Sequence, residues 1–547
     1  MHNKIALAQI NTTPLDIENN MKRALEFIEK AKEKGAKTVI FCPEYLCGGF
    51  YKDVLEKFPI IKDNEQKALN HIAGYSDNIE ILMGCIIDNI EAVAVMKNGQ
   101  IEKFVKTSNE LTEVQGMKAS FIFRNKKDVN PPENAELIID FTPSLSKKNS
   151  EYLRNSSLSL LARLNSASVI QVNRVGSNDE LVFDGSSRVY SPKGELLARA
   201  EFFEEDLLIV ENFKGEIKSI PQGIDNEPEN KFSLDYESDL ERTYLSLIQS
   251  IRDYFYKNEL KCAVLGLSGG LDSSVCAVLL TDAIGAQNVF GVSMPSKITT
   301  DLSKQDAYNL AKNLGIHFQE IPISPMVEAF RDSIKNLNFR EKCEKTYTMD
   351  NIQARTRATI LFGISNEYNG CISIATSDKS EAYMGYATIN GDMSGGFAPI
   401  ADITKTKLFA LARWLNKNRV QKNAIPQSVI DKRPGAELAI NPKTGKPLMA
   451  EEALMPYDLL DEVIWRIEIL HQAKEDMMKD EFLYEKSNKI NALQKKEWLD
   501  KFFCRMQNAS CKGNLMPVFP LVDEVSINKK VYNSPITTKI NFESISL

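Results

Sequence analysis

The sequence predicts an α/β protein whose C-terminal half is a doubly wound parallel sheet, and two observations carry that prediction. Short apolar runs of strand length alternate with segments whose apolar residues recur at helical spacing, from "KIALAQI" (4–10) to "IHFQEIPIS" (316–324). A polar stretch without periodicity and with two prolines, "SIPQGIDNEPENKF" (219–232), separates two such series. The expected organisation is a domain over 1–215, a linker over 216–235 and a second domain over 236–547.

In the first series "KIALAQI" and "TVIFCPE" (38–44) read as strands, and "NNMKRALEFIEKAKEKG" between them reads as a helix that stops at Gly35. The strands continue through "IEILMGCII" (79–87), "AVAVMKNGQIEKFVK" (92–106), "AELIIDFTPS" (135–144), "ASVIQVNRVG" (167–176) and "SSRVYSPKGELLARA" (186–200). Two of these hold hairpin turns, Asn98-Gly99 and Pro192-Lys193-Gly194. After the linker come a helix over 236–258, a strand over 261–266, a small-residue loop, a helix, the strand "NVFGVSMPS" (288–296), a helix over 303–314 and the strand 316–324. The tail after 520 is polar and shows no pattern.

Composition narrows the function classes. A net charge of −7 on 547 residues gives no electrostatic basis for binding nucleic acid or an anionic membrane. No apolar run is long enough to span a bilayer and no signal peptide opens the chain, so a cytoplasmic protein is expected. The nine cysteines contain no CxxC pair and fit reduced thiols, and the four histidines, His2, His71, His317 and His471, are not spaced as metal ligands.

The chemistry concentrates in "VLGLSGGLDSSVCAVLL" (264–280). A loop between a buried strand and a helix N-terminus offers unpaired N–H groups and the positive end of the helix dipole to a phosphate. Gly269 and Gly270 let an anion approach the backbone, and Ser268, Ser273 and Ser274 add hydroxyl donors. Asp272 would repel phosphates unless a cation lay between them, which suggests Mg²⁺. A simple capped helix start explains many Gly-Ser-Asp clusters. The full "SGGLDSS", lying between strand and helix, favours the phosphate loop.

That motif resembles the pyrophosphate loop of the ATP pyrophosphatases, the adenine nucleotide alpha hydrolase-like group. Within it, "TMDNIQARTRATILF" (348–362), "ATSDKSEAYMGYATINGDMSGGFAPIADITKTKLFALARWL" (375–415), "IPQSVIDKRPGAELA" (425–439) and "LMPYDLLDEVI" (454–464) resemble the NAD synthetases. The resemblance implies that ATP activates the nicotinate carboxylate of deamido-NAD as an adenylate and that ammonia then displaces AMP. It places Ser268, Gly269, Gly270, Asp272, Ser273, Ser274, Thr376 and Lys405 on ATP, and Asp272 and Glu381 on Mg²⁺. Asp272, Glu381 and Lys405 would carry the catalysis. Asn351, Arg355, Glu381, Tyr386, Thr388, Asp392, Glu437 and Lys512 would contact deamido-NAD or ATP. Gly435 and Gly513 depart from the family pattern, where a serine and a basic residue are usual.

Residues 1–210 resemble the nitrilase-type amidase domain, an α-β-β-α sandwich, of the long, glutamine-dependent NAD synthetases. "FCPEYLCGGF" (41–50) would supply the general base Glu44, "FVKTSNEL" (104–111) the oxyanion lysine Lys106, and "NDELVFDGSSRVYSPKGELLA" (178–198) matches the stretch closing the domain. The cysteine nucleophile has no counterpart. Phe123, Arg124 and Asn125 stand about where it would fall, and no cysteine lies between Cys85 and Cys262. Cys42 and Cys47 flank Glu44 and Cys85 reads as a strand-core residue, and a buried small hydrophobe is the commoner role for each. The domain is therefore expected to keep its fold without glutaminase activity, leaving the synthetase to take ammonia from elsewhere. Two alternatives remain open: a working glutamine-hydrolysing synthetase with an unplaced nucleophile, and a nucleotide-binding pseudoenzyme. The resemblance also implies a homo-oligomer, at least a dimer, with the deamido-NAD site at the subunit interface.

Overall fold

The computed structural model describes residues 3–49, 52–123, 131–213, 216–219, 236–339, 347–419, 421–432, 435, 450–479, 492–513 and 515–526. The chain divides into two compact units, Met1–Asp253 and Tyr254–Leu547. The division falls inside the helix Tyr236–Lys257, later than the start at 236 expected from sequence.

The first unit contains β1 (Asn3–Gln9), β2 (Ala36–Phe41), β3 (Glu80–Ile87), β4 (Ile90–Lys97), β5 (Gln100–Val105), β6 (Thr112–Val114), β7 (Met117–Phe123) and β8 (Leu137–Phe141). It continues with β9 (Ser168–Gln171), β10 (Val175–Asn178), β11 (Leu181–Asp184), β12 (Arg188–Tyr190), β13 (Leu196–Arg199), β14 (Asp206–Phe213) and β15 (Glu216–Ser219). One sheet has the order β15-β14-β1-β2-β3-β4-β5, a second the order β13-β12-β9-β8-β7-β6, and β10 pairs with β11. β15 lies in residues assigned above to the linker: it pairs antiparallel with β14 as an edge strand, and the rest of that segment, 220–235, is outside the described residues.

Side-chain alternation makes the sandwich. Met117, Ala119, Phe121 and Phe123 of β7 and Leu137, Ile139 and Phe141 of β8 share one core with Ile5, Val39 and Leu82 of the first sheet. Ile122 and Ile138 point the other way and meet Leu158 and Ala162 of the helix Ser150–Asn165. On the outside of the first sheet, the helix Ile17–Glu33 turns Ala24, Phe27, Ile28 and Ala31 inward and starts where the Asp16 side chain accepts from the Asn19 N–H. The hairpin β4-β5 turns at Asn98 and Gly99, both at positive φ (51° and 78°), as a tight two-residue turn requires.

The second unit holds β16 (Cys262–Gly266), β17 (Val289–Ser293), β18 (His317–Glu320) and β19 (Cys371–Ser373) in the order β18-β17-β16-β19, with every pair parallel. The chain winds outward from β16 through β17 to β18, then crosses back to place β19 on the other side of β16. The strand order thus reverses beside β16, and ligands of open α/β sheets bind at the carboxyl ends of the strands flanking such a reversal. The small-residue loop follows β16 at that end and leads into the helix Leu271–Ile284, which is buried from Leu271 to Leu280 apart from Asp272. Among the described residues no helix is long and apolar enough to cross a membrane.

Candidate active site

Gly269 fixes the shape of the loop. Its φ is +72°, and a Cβ there would lie 2.1 Å from the Ser303 carbonyl oxygen, so only glycine fits. The serines brace the turn: the Gly270 N–H donates to Ser268 Oγ (3.2 Å), Ser268 and Ser273 hydroxyls meet at 3.2 Å, and Ser274 Oγ donates to the Gly270 carbonyl (2.7 Å). Gly269, Ser273 and Ser274 are buried, whereas Ser268 is exposed.

Next to the loop three carboxylates surround one ammonium. Lys405 Nζ lies 2.7 Å from Asp272 Oδ1, 2.6 Å from Asp378 Oδ2 and 2.9 Å from Glu381 Oε1. One oxygen from each acid lies within 4.8 Å of the others. Several elements hold this cage. Asp378 caps the short helix Lys379–Tyr383 by accepting from the Glu381 N–H (3.1 Å). Lys405 opens the helix Lys405–Asn418, and its N–H donates to Ser380 Oγ (2.8 Å). Asp461 accepts from the Thr406 N–H (2.8 Å) and from the Ser380 hydroxyl, and Tyr457 donates its hydroxyl to Glu381 Oε1 (2.8 Å).

The Lys405 side chain is 1% exposed and Asp378 is fully buried, while Asp272 keeps 28% of its side chain open. Burial pushes the Asp272 and Asp378 carboxyls up, Asp378 strongly, against the pull of the Lys405 ammonium. Burial alone would lower Lys405, but the three acids hold it well above the ordinary lysine range. An all-oxygen set of this kind fits a hard divalent cation.

The other expected residues gather around the turn 385–392. Thr388 donates its hydroxyl to Asn351 Oδ1 (2.9 Å) and its N–H to Asp392 Oδ1 (2.6 Å). Arg355 Nε donates to the Ile389 carbonyl (3.1 Å), and Lys512 Nζ donates to the carbonyls of Gly385 (2.8 Å) and Ala387 (2.6 Å). Burial raises Asp392 to about 6 and Tyr386 to about 12. Thr376 is half-buried beyond the end of β19, and Glu437 lies outside the described residues. Asn351 and Arg355 also line an open pocket of about 560 Å³ with Phe330, Ile334, Tyr347 and Ile352.

Sequence reading missed Asp378, Tyr457 and Lys432. Asp378-Lys-Ser-Glu381 has the spacing of a capping box, which could have revealed the cap. Lys432 donates to the Gly269 carbonyl (3.0 Å) and to Ser303 Oγ (2.8 Å), placing a second cation at the loop. The tail after 520 also has a role: Asp523 pairs with Lys379 (2.9 Å), and Asp402 accepts from the N–H groups of Val522 and Asp523 (2.8 Å each).

In the first unit, Glu44 and Lys106 are bound to other partners. Glu44 sits at φ 42°, a left-handed conformation uncommon for a non-glycine residue, and pairs through Oε2 with Arg174 (2.9 Å), both side chains being buried. The Arg174 guanidinium also donates to the carbonyls of Pro43 and Gly48. Glu44 Oε1 has no hydrogen-bond partner among the described residues. Lys106 Nζ donates to the exposed Asp88 (2.7 Å). Cys42, Cys47 and Cys85 are buried, which raises Cys42 to about 11 and the other two further. Phe123 ends β7 with its ring stacked on Phe141, and Arg124 and Asn125 are outside the described residues.

Residues 243–501 match the family model of NAD synthase. The glutamine-dependent NAD(+) synthetase of Aquifex aeolicus is 34% identical over 84% of this chain and 88% of its own length, and that of Thermotoga maritima is 32% identical over the same shares. Among solved structures, the glutamine-dependent NAD+ synthetase of Acinetobacter baumannii in complex with adenosine diphosphate is similar over 98% of both chains, with a TM-score of 0.72 and 26% identity. The enzyme from Cytophaga hutchinsonii, at 20% identity and a TM-score of 0.79, shares the fold over 98% of both chains. The chain belongs to the family of glutamine-dependent NAD(+) synthetases.

Proposed function

We propose that the chain is a ligase that amidates deamido-NAD to NAD(+) with ATP, through an adenylated intermediate, and that it uses free ammonia. The observation that carries the ligase reading is the Lys405 cage beside the β16 loop, at the point where the strand order reverses. The nicotinate carboxylate oxygen attacks the α-phosphorus of ATP and pyrophosphate leaves. Ammonia then adds to the activated carbonyl carbon, AMP departs with the bonding pair of the cleaved C–O bond, and the ammonia nitrogen gives up one proton to water.

The chain's own residues position and neutralise. The small-residue loop and the N-terminus of Leu271–Ile284 cradle phosphate, and Lys405 and Lys432 offset its charge. Asp272, Asp378 and Glu381 would hold Mg²⁺, which when bound offsets the charge of the polyphosphate. Asn351, Arg355, Tyr386, Thr388, Asp392 and Lys512 form the deamido-NAD wall, with Thr376 on the ATP side. The exposed Tyr347 and Phe330 around the 560 Å³ pocket support a homodimer in which a second copy covers it. Free thiols support a cytoplasmic setting.

Ammonia use is supported by the sequence without cysteine from 86 to 261 and by the commitment of Glu44 to Arg174. The buried thiols of Cys42, Cys47 and Cys85 are poor nucleophile candidates because burial keeps them protonated. The test is NAD(+) formation by the full chain with ATP, Mg²⁺ and deamido-NAD, comparing saturating glutamine with ammonium at alkaline pH. Ammonium should support turnover, and the glutamine rate should be at least about a thousandfold lower, as for an amidase lacking its nucleophile. Equal rates would show a working glutaminase, and no pyrophosphate release with either would show a non-catalytic protein.

A further inference from the structure

We propose that Lys405 occupies the divalent-cation cage of the nucleotide-free protein and must leave it before the cation can enter, so that cation and nucleotide bind cooperatively. The inference rests on the proposed ATP-dependent reading of the same site.

The geometry is specific. One Nζ lies within 2.9 Å of an oxygen from each of three acids, so it sits where a cation shared by those acids would sit. The same oxygens cannot hold this ammonium and a second, divalent charge at once. A dication ligated at about 2.1 Å would lie among the atoms that Nζ now touches. Asp378 gives the second observation. It is fully buried, its Oδ1 is committed to the Glu381 N–H, and its Oδ2 faces Nζ without a hydrogen bond of good direction and without another partner among the described residues. A lone ammonium leaves that oxygen's bonding capacity unfilled, as a place-holder would.

The exchange needs only the Lys405 side chain to move. Its backbone is pinned by Ser380 Oγ, while the four-carbon stem can swing the ammonium about that fixed point. Asp272, Asp378, Glu381 and the Tyr457 ring, 5.2 Å from Nζ, are the groups that face it. Asp272 belongs to the first turn of the helix that opens at the phosphate loop, so a polyphosphate at the loop offers the ammonium an alternative anion close by. By linkage, whatever draws Lys405 out raises cation affinity, and the cation favours the nucleotide in return.

The test is calorimetric titration of Mn²⁺ into the full, nucleotide-free chain, for the wild type, Lys405→Gln, Lys405→Met and Lys405→Gln with Asp378→Asn, each checked for folding by circular dichroism. The Gln and Met variants should bind one Mn²⁺ at least about tenfold more tightly than the wild type, within the usual range of coupling between sites, and the double variant should lose that gain. Equal affinity in wild type and variants overturns the proposal. So does micromolar uptake of one Mn²⁺ by the nucleotide-free wild type, even if neither variant folds. NAD(+) synthesis by the wild type is measured alongside. Loss of synthesis with Mn²⁺ competition intact overturns the ligase reading alone, and synthesis without competition overturns the exchange alone.

Discussion

At the scale of single residues, contacts decide more than motif membership. Gly269 and Asp272 were legible because the loop chemistry requires a glycine at positive φ and a cation near the acid. Lys432 was not legible, since the carbonyl it binds is 163 positions earlier and no local pattern links them. Its ammonium neutralises the rim of the loop and ties it to Ser303. Lys432→Met is expected to raise the KM for ATP by roughly tenfold, in keeping with the loss of a hydrogen bond from a charged donor. The KM for deamido-NAD should change by less than about twofold, since the contacts around 385–392 do not include this side chain. Lys432→Arg should recover part of the loss, whereas a merely structural role would move both constants together.

Elements were read well where one periodicity dominates and poorly where pairing defines them. The hairpin at Asn98-Gly99 is specified locally, but β15 is four residues with one apolar side chain, Ile217, and becomes a strand only against β14. Helix-to-sheet packing hides another feature. Glu65, on the helix Pro59–Ala73, is 1% exposed and accepts from the Ile86 N–H on β3 (3.1 Å), leaving Oε2 without a hydrogen-bond partner among the described residues. Burial raises its carboxyl to about 7. The folded state therefore keeps a proton that the unfolded chain releases near its ordinary value. This contribution to stability is complete below about pH 4.5 and is lost as pH rises through about 7. Glu65→Gln keeps the acceptor and removes the ionisation. Its melting temperature should match the wild type near pH 5 and exceed it at pH 8, by the equivalent of on the order of 3 kcal/mol. Parallel pH profiles for the two proteins would show that Glu65 does not ionise in this range.

For the whole molecule, the two units were legible as two series of elements, and the family was legible in motifs, because both are written locally. The state of the first unit's candidate amidase site was not, because Glu44 and Arg174 meet across 130 positions and nothing in "FCPEYLCGGF" signals the partner. Each unit has its own sheets and core, so chemistry in the second does not require an ionised Glu44 in the first. If the carboxylate now serves as counter-ion to a buried guanidinium, Glu44→Gln should destabilise the first unit by about 3 to 5 kcal/mol, the usual result of leaving a buried charge unpaired. The ammonium-driven rate per folded molecule should stay within about twofold, since the substitution touches no group of the ligase site. If Glu44 is still a general base, stability should change little, and a glutamine-driven rate present in the wild type should fall by about a hundredfold or more while the ammonium-driven rate persists. Measuring the unfolding midpoint with both rates on the same preparation separates the counter-ion from the base, because the two roles predict opposite patterns of loss.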